Sequence, residues 1–400
     1  MKILHCSDIH LGRRIVGATG EFSELRYNDY FVAFAYIVEQ AIELCIDVFV
    51  VAGDLFDKKE ISPEILARTE TLFEKLKVAG IKTLVIEGNH DNIKSGKEKE
   101  SWIKFLEDKN LIVRPFYNEK DDGIEINPII IGNVKFYGLG YPGFFADSLL
   151  EMFAQKVNRS EGYLNYLIIH TALANPDFIL GTIKAESIRN LIGKVDYIAG
   201  GHFHGYSAFP KDNPIFFVPG SPEMWDLNEY NQQKGFIIFD TETNEKIFFE
   251  SKNRKKLKIE IKITEPDLVG ARQQILKLIE SIEVTDNPIC YLILDIKHQL
   301  ELDIPEIENQ LIKKGAVKVV TKIVGQKLSS YKDFSGFDST IAEIESEIIS
   351  KWDKFGKIPH ETEKLLDKMK SCQNEGLSDD FNDFIDGFLE RMIEGSPNGN

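Results

Sequence analysis

The chain has 400 residues, of which 43% are hydrophobic and 28% are charged. This composition is that of a soluble globular protein and excludes wholesale disorder, and the length predicts two or three domains. The formal net charge of -16 argues against a protein that binds nucleic acid by electrostatic attraction alone. An enzyme remains compatible with this charge if bound divalent ions supply positive charge locally.

The sequence also limits the compartment. No apolar run approaches the ~18 residues that are needed to span a bilayer. The first six residues lead directly into a strand-like segment and do not resemble a secretion signal. The four cysteines are too scattered for a disulfide framework or a cysteine-ligated zinc site. We therefore expect a cytoplasmic protein with no membrane contact.

Residues 1–250 alternate short apolar runs, typical of strands buried on both faces, with segments of helical period. The first five elements predict a β-α-β-α-β order, whose second helix opens with Ser62 as N-cap and Pro63 at the first helical position. The later strands follow one another more closely, as in an α/β sandwich. The predicted helices cover 29–44 and 63–78, and the predicted strands cover 2–7, 48–52, 82–87, 134–139, 167–170, 197–199, 215–218 and 235–239.

The composition changes at residues 251–258, which are rich in lysine and arginine and predict a domain boundary. Residues 251–330 form the only net basic part of the chain. Apolar patterns in this part predict a small β-α-β-α-β domain. Its predicted strands are 258–263, 290–295 and 317–324, and its predicted helices are 266–282 and 304–313.

The acidic tail carries two apolar stripes at helical spacing, one from Ile341 to Phe355 and one from Phe381 to Met392. Two amphipathic helices need a covering surface, which is each other, the preceding domain or a partner protein, and the pattern leaves these alternatives open. The predicted domains are therefore 1–250, 256–325 and a C-terminal helical segment at 336–396.

Several strands of the first domain end in residues that commonly bind metals. Each motif taken alone has an ordinary explanation, because Asp-x-His occurs by chance, a single histidine is usually structural and Gly-Asn-His-Asp is also a turn sequence. The combination is informative, since five of the eight histidines follow strands of one α/β layer. The motifs are Asp8-x-His10, Gly53-Asp54, Gly88-Asn89-His90-Asp91, His170 and Gly201-His202-x-His204.

These side chains offer imidazole, carboxylate and amide ligands without a thiolate. Such a set suits manganese, iron or zinc with open positions for water. Seven candidate ligands that share Asp54 suffice for two ions about 3.5 to 4 Å apart, which can clamp a phosphodiester and activate a water molecule. The motifs therefore predict the hydrolysis of a phosphate ester.

In their order and spacing, these motifs resemble those of the calcineurin-like metallophosphoesterases. Ser7 to Gly12, Gly53 to Asp57 and Pro219 to Glu223 narrow the resemblance to the Mre/SbcD branch, the nuclease subunits of double-strand-break repair complexes. The resemblance is strong over 1–250 and only architectural beyond. It implies an α/β fold, with a calcineurin-like β-sandwich flanked by helices, then a small α/β capping domain and C-terminal helices.

The resemblance also implies roles for individual residues. His90 is the histidine that binds no metal and either stabilises the transition state or protonates the leaving oxygen, and Asp91 orients its ring. Asp57 stands where the archaeal branch often has histidine, as in the bacterial branch. The implied ligands are Asp8, His10, Asp54 and His204 for one ion, and Asp54, Asn89, His170 and His202 for the other.

The activity implied by the resemblance is a manganese-dependent DNA nuclease, exonuclease on duplex ends and endonuclease on single strands, in DNA repair and recombination. The implied partners are DNA, an SMC-like coiled-coil ATPase of the SbcC type that binds the C-terminal helices, and a second copy in a homodimer. Two alternatives stay open: a phosphodiesterase or phosphatase for a small substrate, and a metal-binding scaffold subunit. One departure from related sequences, which carry smaller or polar residues there, is the loop Met224-Trp225-Asp226.

Two groups of cations are candidates for DNA contact. Each is also compatible with an ordinary solvated surface. The buried-looking His5 is expected to support the strand or the ligands. The candidate cations are Arg13 and Arg14 after the first motif, and Lys252, Arg254, Lys255, Lys256 and Lys258 at the domain boundary.

Overall fold

The computed structural model describes residues 1–14, 20–91, 101–120, 123–174, 180–225, 227–297 and 300–325. The predicted helical segment at 336–396, and with it the predicted ATPase-binding surface, lies outside the described residues, as does Asp226. The chain divides into two compact units, one of Met1–Ile259, Ser281–Leu292 and Pro305–Val320, the other of Glu260–Glu280, Ile293–Ile304 and the chain from 321 onward. Among the described residues, no helix is both long and apolar enough to cross a membrane.

The described helices and strands follow one another in this order. The helices are α1 (Gly20–Glu43), α2 (Pro63–Val78), α3 (Trp102–Asp108), α4 (Ala146–Lys156), α5 (Ala185–Arg189), α6 (Leu268–Ser281) and α7 (Ile304–Lys313). The strands are β1 (Lys2–Cys6), β2 (Val48–Ala52), β3 (Lys82–Ile86), β4 (Tyr117–Lys120), β5 (Gly123–Ile126), β6 (Ile129–Ile131), β7 (Val134–Gly140), β8 (Leu164–Ile169), β9 (Ala172–Leu173), β10 (Thr182–Ile183), β11 (Tyr197–Ala199), β12 (Ser207–Phe209), β13 (Phe216–Val218), β14 (Gly235–Asp240), β15 (Lys246–Glu250), β16 (Lys256–Ile263), β17 (Ile289–Ile296) and β18 (Lys318–Val324).

The first sheet has the strand order β15-β14-β1-β2-β3. Strands β1, β2 and β3 are parallel, because α1 and α2 return the chain between them, whereas β14 and β15 are antiparallel additions. The carboxyl ends of the three parallel strands therefore share one edge of the sheet. The loops that carry Asp8, Asp54 and Asn89 all leave from this edge.

The second sheet has the order β12-β13-β11-β8-β7-β6 and contains four parallel strands, β7, β8, β11 and β13. His170 follows β8 and His202 follows β11, so both also leave from carboxyl ends. The two sheets share one core, in which Val50 of the first sheet and Ile168 of the second are fully buried.

Helices cover the outer faces of both sheets. Phe34 of α1 and Phe73 of α2 belong to the core on the outer face of the first sheet, and Phe153 of α4 belongs to the core on the outer face of the second. The predicted β-sandwich flanked by helices is therefore confirmed.

Most predicted elements agree with the structure to within three residues. Helix α2 has the predicted bounds, and the Ser62 side chain accepts a hydrogen bond from the backbone N–H of Ile65. Helix α1 begins at Gly20 and not at residue 29, so the predicted start was wrong. Arg26 is the reason, because it is 1% exposed on the buried face and interrupts the apolar period that marks a helix in a sequence.

The segment after residue 255 has the predicted order of elements. β16, β17 and β18 form one sheet with β17 in the middle. Helices α6 and α7 each bury an apolar stripe, which includes Ile275 and Ile279 in α6 and Ile307 and Leu311 in α7.

Candidate metal centre

Four of the predicted ligand residues have backbone angles that L-amino acids rarely adopt. Asp8, His10, Asp54 and His202 have φ values of 53°, 51°, 52° and 77°. Each such residue costs about 1 to 3 kcal/mol of strain and persists only where the surrounding structure imposes it, which is common at functional sites. The strain coincides here with the ends of the parallel strands.

The first ligand cluster contains Asp8, His10 and His204. One ligand atom from each lies within 4.8 Å of the others. The Nε2 atoms of His10 and His204 are 3.3 Å apart, and the Oδ2 atom of Asp54 lies 3.9 Å from His10 Nε2. The structure thus brings together the residues that were predicted to hold one ion.

The second cluster contains Asp54, Asn89, His170 and His202. Asn89 Oδ1 lies 3.1 Å from His170 Nε2 and 3.0 Å from His202 Nδ1, and Asp54 Oδ2 lies 3.1 Å from His170 Nε2. Neighbouring ligands around an ion with bonds of about 2.1 Å are about 3 Å apart. Asp54 Oδ2 faces both clusters, which is the position of a bridging ligand.

Hydrogen bonds to three of the histidines show which ring nitrogen faces the ligand clusters. In each ring the other nitrogen contacts a carbonyl or carboxylate oxygen, which only accepts hydrogen bonds, so that nitrogen carries the proton. The remaining nitrogen is then a lone-pair donor opposite oxygen or nitrogen ligands, an arrangement that a cation satisfies. The donor set therefore fits divalent ions. The contacts are His170 Nδ1 to Ala52 O at 2.8 Å, His202 Nε2 to Leu180 O at 2.8 Å and His204 Nδ1 to Glu229 Oε1 at 2.7 Å.

Two glycines of the motifs permit the close approach of ligands. A Cβ atom on Gly53, whose φ is 88°, would lie 2.3 Å from Nδ1 of His170. A Cβ atom on Gly88 would lie 2.1 Å from Oδ1 of Asp54. Any side chain at either position would displace a ligand, which explains why the motifs read Gly-Asp and Gly-Asn-His.

The metal-free centre holds an ion pair. Burial opposes the charge on Asp54, but the imidazoles of His170 and His90 outweigh it and hold the pKa of this carboxyl well below its usual range. Burial likewise opposes the charge on His170, but the Asp54 carboxylate raises the pKa of this imidazole to about 9. Ligands must be deprotonated to bind a metal, so an ion displaces the proton of His170.

The structure corrects the predicted role of Asp91. Its carboxylate accepts backbone N–H groups of Leu55, Phe56 and Gly88 at 3.1, 2.9 and 3.1 Å, and therefore ties two ligand-bearing loops together. The ring of His90 is oriented instead by the backbone carbonyl of Asp57, which lies 2.7 Å from Nδ1. Burial and the nearby Asp54 carboxylate raise the pKa of Asp91 to about 7.

Glu229 is a functional residue that the motifs missed. It accepts a hydrogen bond from His204 Nδ1, and its other oxygen lies 2.6 Å from Nζ of the buried Lys234. Burial raises the pKa of Glu229, but His204 and Lys234 outweigh that effect and lower it to about 2. No local pattern marks this residue, because its place at the site depends on how the loop after β13 folds back.

The cations that were predicted to contact DNA are largely engaged in other contacts. Arg13 lies over the ring of Trp225 and pairs with Asp57 at 3.2 Å. Lys252 and Lys258 are exposed at the boundary. The charge of the others is partly neutralised or held in place. Their contacts are Arg14 with Glu24 at 2.6 Å, Arg254 with Asp29, Lys255 with Asp286, and Lys256 Nζ with the Tyr230 carbonyl at 3.1 Å.

Comparison with known proteins finds one family and several relatives. Residues 1–206 match the family model described as calcineurin-like phosphoesterase. The DNA double-strand break repair protein Mre11 of Methanosarcina mazei is 27% identical over 328 residues, which cover 80% of this chain and 49% of the relative. The SbcD component of the SbcCD nuclease of Staphylococcus epidermidis is 26% identical over 264 residues, which cover 61% of this chain and 67% of that one.

A shorter relative is matched over most of its length. The DNA double-strand break repair protein Mre11 of Thermoplasma acidophilum is 24% identical over 330 residues, which cover 80% of this chain and 84% of the relative. The match to the Methanosarcina proteins, in contrast, spans about half of their length.

Proposed function

The chain belongs to the calcineurin-like phosphoesterase family, and from this premise we propose that it is a metal-dependent DNA nuclease of a double-strand-break repair complex. The observation that carries the proposal is the pair of ligand clusters that share Asp54 Oδ2. The names of the relatives, which are repair proteins and a nuclease component, support DNA as the substrate.

The proposed cofactor is two divalent ions, with manganese as the physiological metal. Asp8, His10 and His204 would hold one, Asn89, His170 and His202 the other, and Asp54 both. When bound, such ions lower the pKa of a water molecule and stabilise the attacking and leaving oxygens of the phosphodiester.

His90 is the proposed proton donor to the leaving oxygen. Its Nδ1 is engaged by the Asp57 carbonyl, which leaves Nε2 for the substrate. Its backbone N–H donates to Asp54 Oδ1 at 2.9 Å, which occupies that oxygen and leaves Oδ2 for the ions. One residue therefore positions the bridging carboxylate and supplies the proton.

The remaining assignments are proposals of the same kind. We propose exonuclease activity on duplex ends and endonuclease activity on single strands, a phosphoesterase domain at 1–250, a capping domain at 256–325 and a partner-binding helical segment at 336–396. The proposed partner of that segment is a coiled-coil ATPase, because two apolar helical stripes in an acidic tail need a covering surface. We also propose a cytoplasmic homodimer.

Cleavage of DNA by the purified full-length chain tests the proposal. The substrates are a linear duplex, a single-stranded circle and bis(p-nitrophenyl) phosphate, each with manganese, magnesium or chelator. We expect manganese-dependent cleavage of DNA that Asp54→Ala abolishes and that the exposed-loop control Asp212→Asn retains. Turnover of the small diester without cleavage of either DNA would instead support a small-substrate phosphodiesterase, and no turnover of any substrate by metal-loaded protein would support a scaffold.

A further inference from the structure

Trp225 lies directly against the candidate metal centre. Its ring centroid is 4.5 Å from that of His10, 4.9 Å from that of His204 and 5.5 Å from that of His90. These are contact distances for aromatic rings. No layer of substrate fits between the indole and these three imidazoles, so Trp225 closes one side of the site.

Arg13 holds the Trp225 ring. The guanidinium carbon lies 3.0 Å from the ring centroid, and Nη1 pairs with Asp57 at 3.2 Å. The Nε atom of Arg13 has no hydrogen-bond partner among the described residues. The guanidinium therefore fixes the indole and keeps a donor for an anion such as a phosphate oxygen.

The main chain at Trp225 is anchored as well. Its N–H donates to Glu229 Oε2 at 2.8 Å, the carboxylate that also orients His204. The preceding Met224 is 1% exposed, and its carbonyl accepts from Arg26 Nη2 at 2.9 Å and from the Tyr30 hydroxyl at 2.7 Å. Trp225 is therefore part of the rigid site and not of a loosely held loop.

We propose that Trp225, braced by Arg13, is a specificity wall that admits an unpaired DNA strand to the metal centre and excludes a paired one. The proposal rests on the nuclease function above and deepens it. A phosphate within a duplex brings stacked bases and a second strand along with it, whereas a single strand can splay its bases and pass its backbone through a narrow opening. Duplex ends would then be cut only where the terminal pairs separate.

Relative rates on matched substrates test the wall. The full chain is compared with Trp225→Ala, with the conservative Trp225→Phe and with Trp102→Phe, a tryptophan whose indole N–H bonds to the Lys59 carbonyl. The substrates are a single-stranded oligonucleotide, a fully paired hairpin with a closed end, and bis(p-nitrophenyl) phosphate. We expect Trp225→Ala to raise the hairpin-to-single-strand ratio of kcat/KM at least tenfold, Trp225→Phe to raise it less, and Trp102→Phe to leave it unchanged.

The small diester separates this proposal from the function on which it rests. Its turnover is expected to stay within threefold in Trp225→Ala, because it passes the wall in either case. If Trp225→Ala cuts DNA but keeps the wild-type ratio, or loses turnover of the diester, the wall is refuted while the nuclease function stands. If every variant turns over the diester and none cuts DNA, the nuclease function itself has failed.

A binding measurement gives a readout without catalysis. Fluorescence anisotropy of labelled oligonucleotides is recorded in chelator, with His90→Ala and with His90→Ala combined with Trp225→Ala. We expect the second substitution to tighten hairpin binding at least fivefold and to change single-strand binding less than twofold. Equal changes for both DNAs would overturn the proposal.

Discussion

The Oε1 atom of Glu229 lies 2.7 Å from Nδ1 of His204 and fixes that ring with its Nε2 atom towards His10. Carboxylates that hold a ligating histidine in this way typically change metal affinity by about 10- to 100-fold when they are removed. We therefore expect Glu229→Gln to weaken binding at the first cluster by that factor and to leave the second cluster unchanged. Calorimetric titration of metal-free protein with manganese measures both affinities, and equal losses at the two sites would contradict the assignment.

Asp54 and Asp8 should differ in how many ions they retain. Asp54 Oδ2 faces both clusters, whereas Asp8 belongs to the first ligand set alone. We expect Asp8→Asn to lose one bound ion and Asp54→Asn to lose both, because a neutral amide bridges two cations poorly. Metal analysis after gel filtration measures the stoichiometry. Retention of one ion by Asp54→Asn would show that the carboxylate does not bridge.

His90 should affect the reaction through the leaving group and not through metal binding. Its Nδ1 contacts the Asp57 carbonyl, and its ring lies 4.9 Å from that of His10. We expect His90→Gln to retain both ions and to lower DNA cleavage by about 10²- to 10⁴-fold, the usual contribution of a proton donor. Hydrolysis of bis(p-nitrophenyl) phosphate should fall far less, since p-nitrophenolate leaves without protonation. A parallel loss on both substrates would remove His90 from this role.

The sequence was sufficient to predict the metal centre because its parts follow strands. Parallel strands bring their carboxyl ends to one edge, so the motifs that end β1, β2, β3, β8 and β11 converge wherever the sheets form. The support around the centre could not be predicted in this way. Glu229 reaches His204, and Trp225 reaches His10, only through the path of the loop after β13.

The orientation of His90 shows the same limit. Its partner is a backbone carbonyl, which any residue at position 57 would supply, so no residue type marks it. Asp91 looked like the partner because it is adjacent in sequence, yet its carboxylate accepts three backbone N–H groups from other loops. Hydrogen-bond partners between loops depend on tertiary structure, which the local pattern does not contain.

His5 should make the metal-free protein less stable in acid. The residue is fully buried, with Nε2 2.9 Å from the Gly200 carbonyl and Nδ1 3.0 Å from the Tyr197 hydroxyl. Burial lowers the pKa of His5 to about 3, although the Gly200 carbonyl opposes the shift. The unfolded chain takes up a proton near pH 6.5 and the native protein does not until about pH 3, so stability falls as the pH drops through this window.

The expected contribution of His5 to that fall is about 1.4 kcal/mol in the free energy of unfolding per pH unit below about pH 6. His202, whose pKa is lowered to about 4 by burial and by His170, adds a similar slope above pH 4. His5→Gln should therefore reduce the pH dependence between pH 6 and 5 without abolishing it. Urea unfolding in chelator at pH 8, 6 and 5 measures the slopes. At pH 8 neither state protonates His5, so the substitution changes stability there only through packing and hydrogen bonding. An unchanged slope in His5→Gln would mean that the native protein accepts the proton at His5 near the usual pKa of histidine.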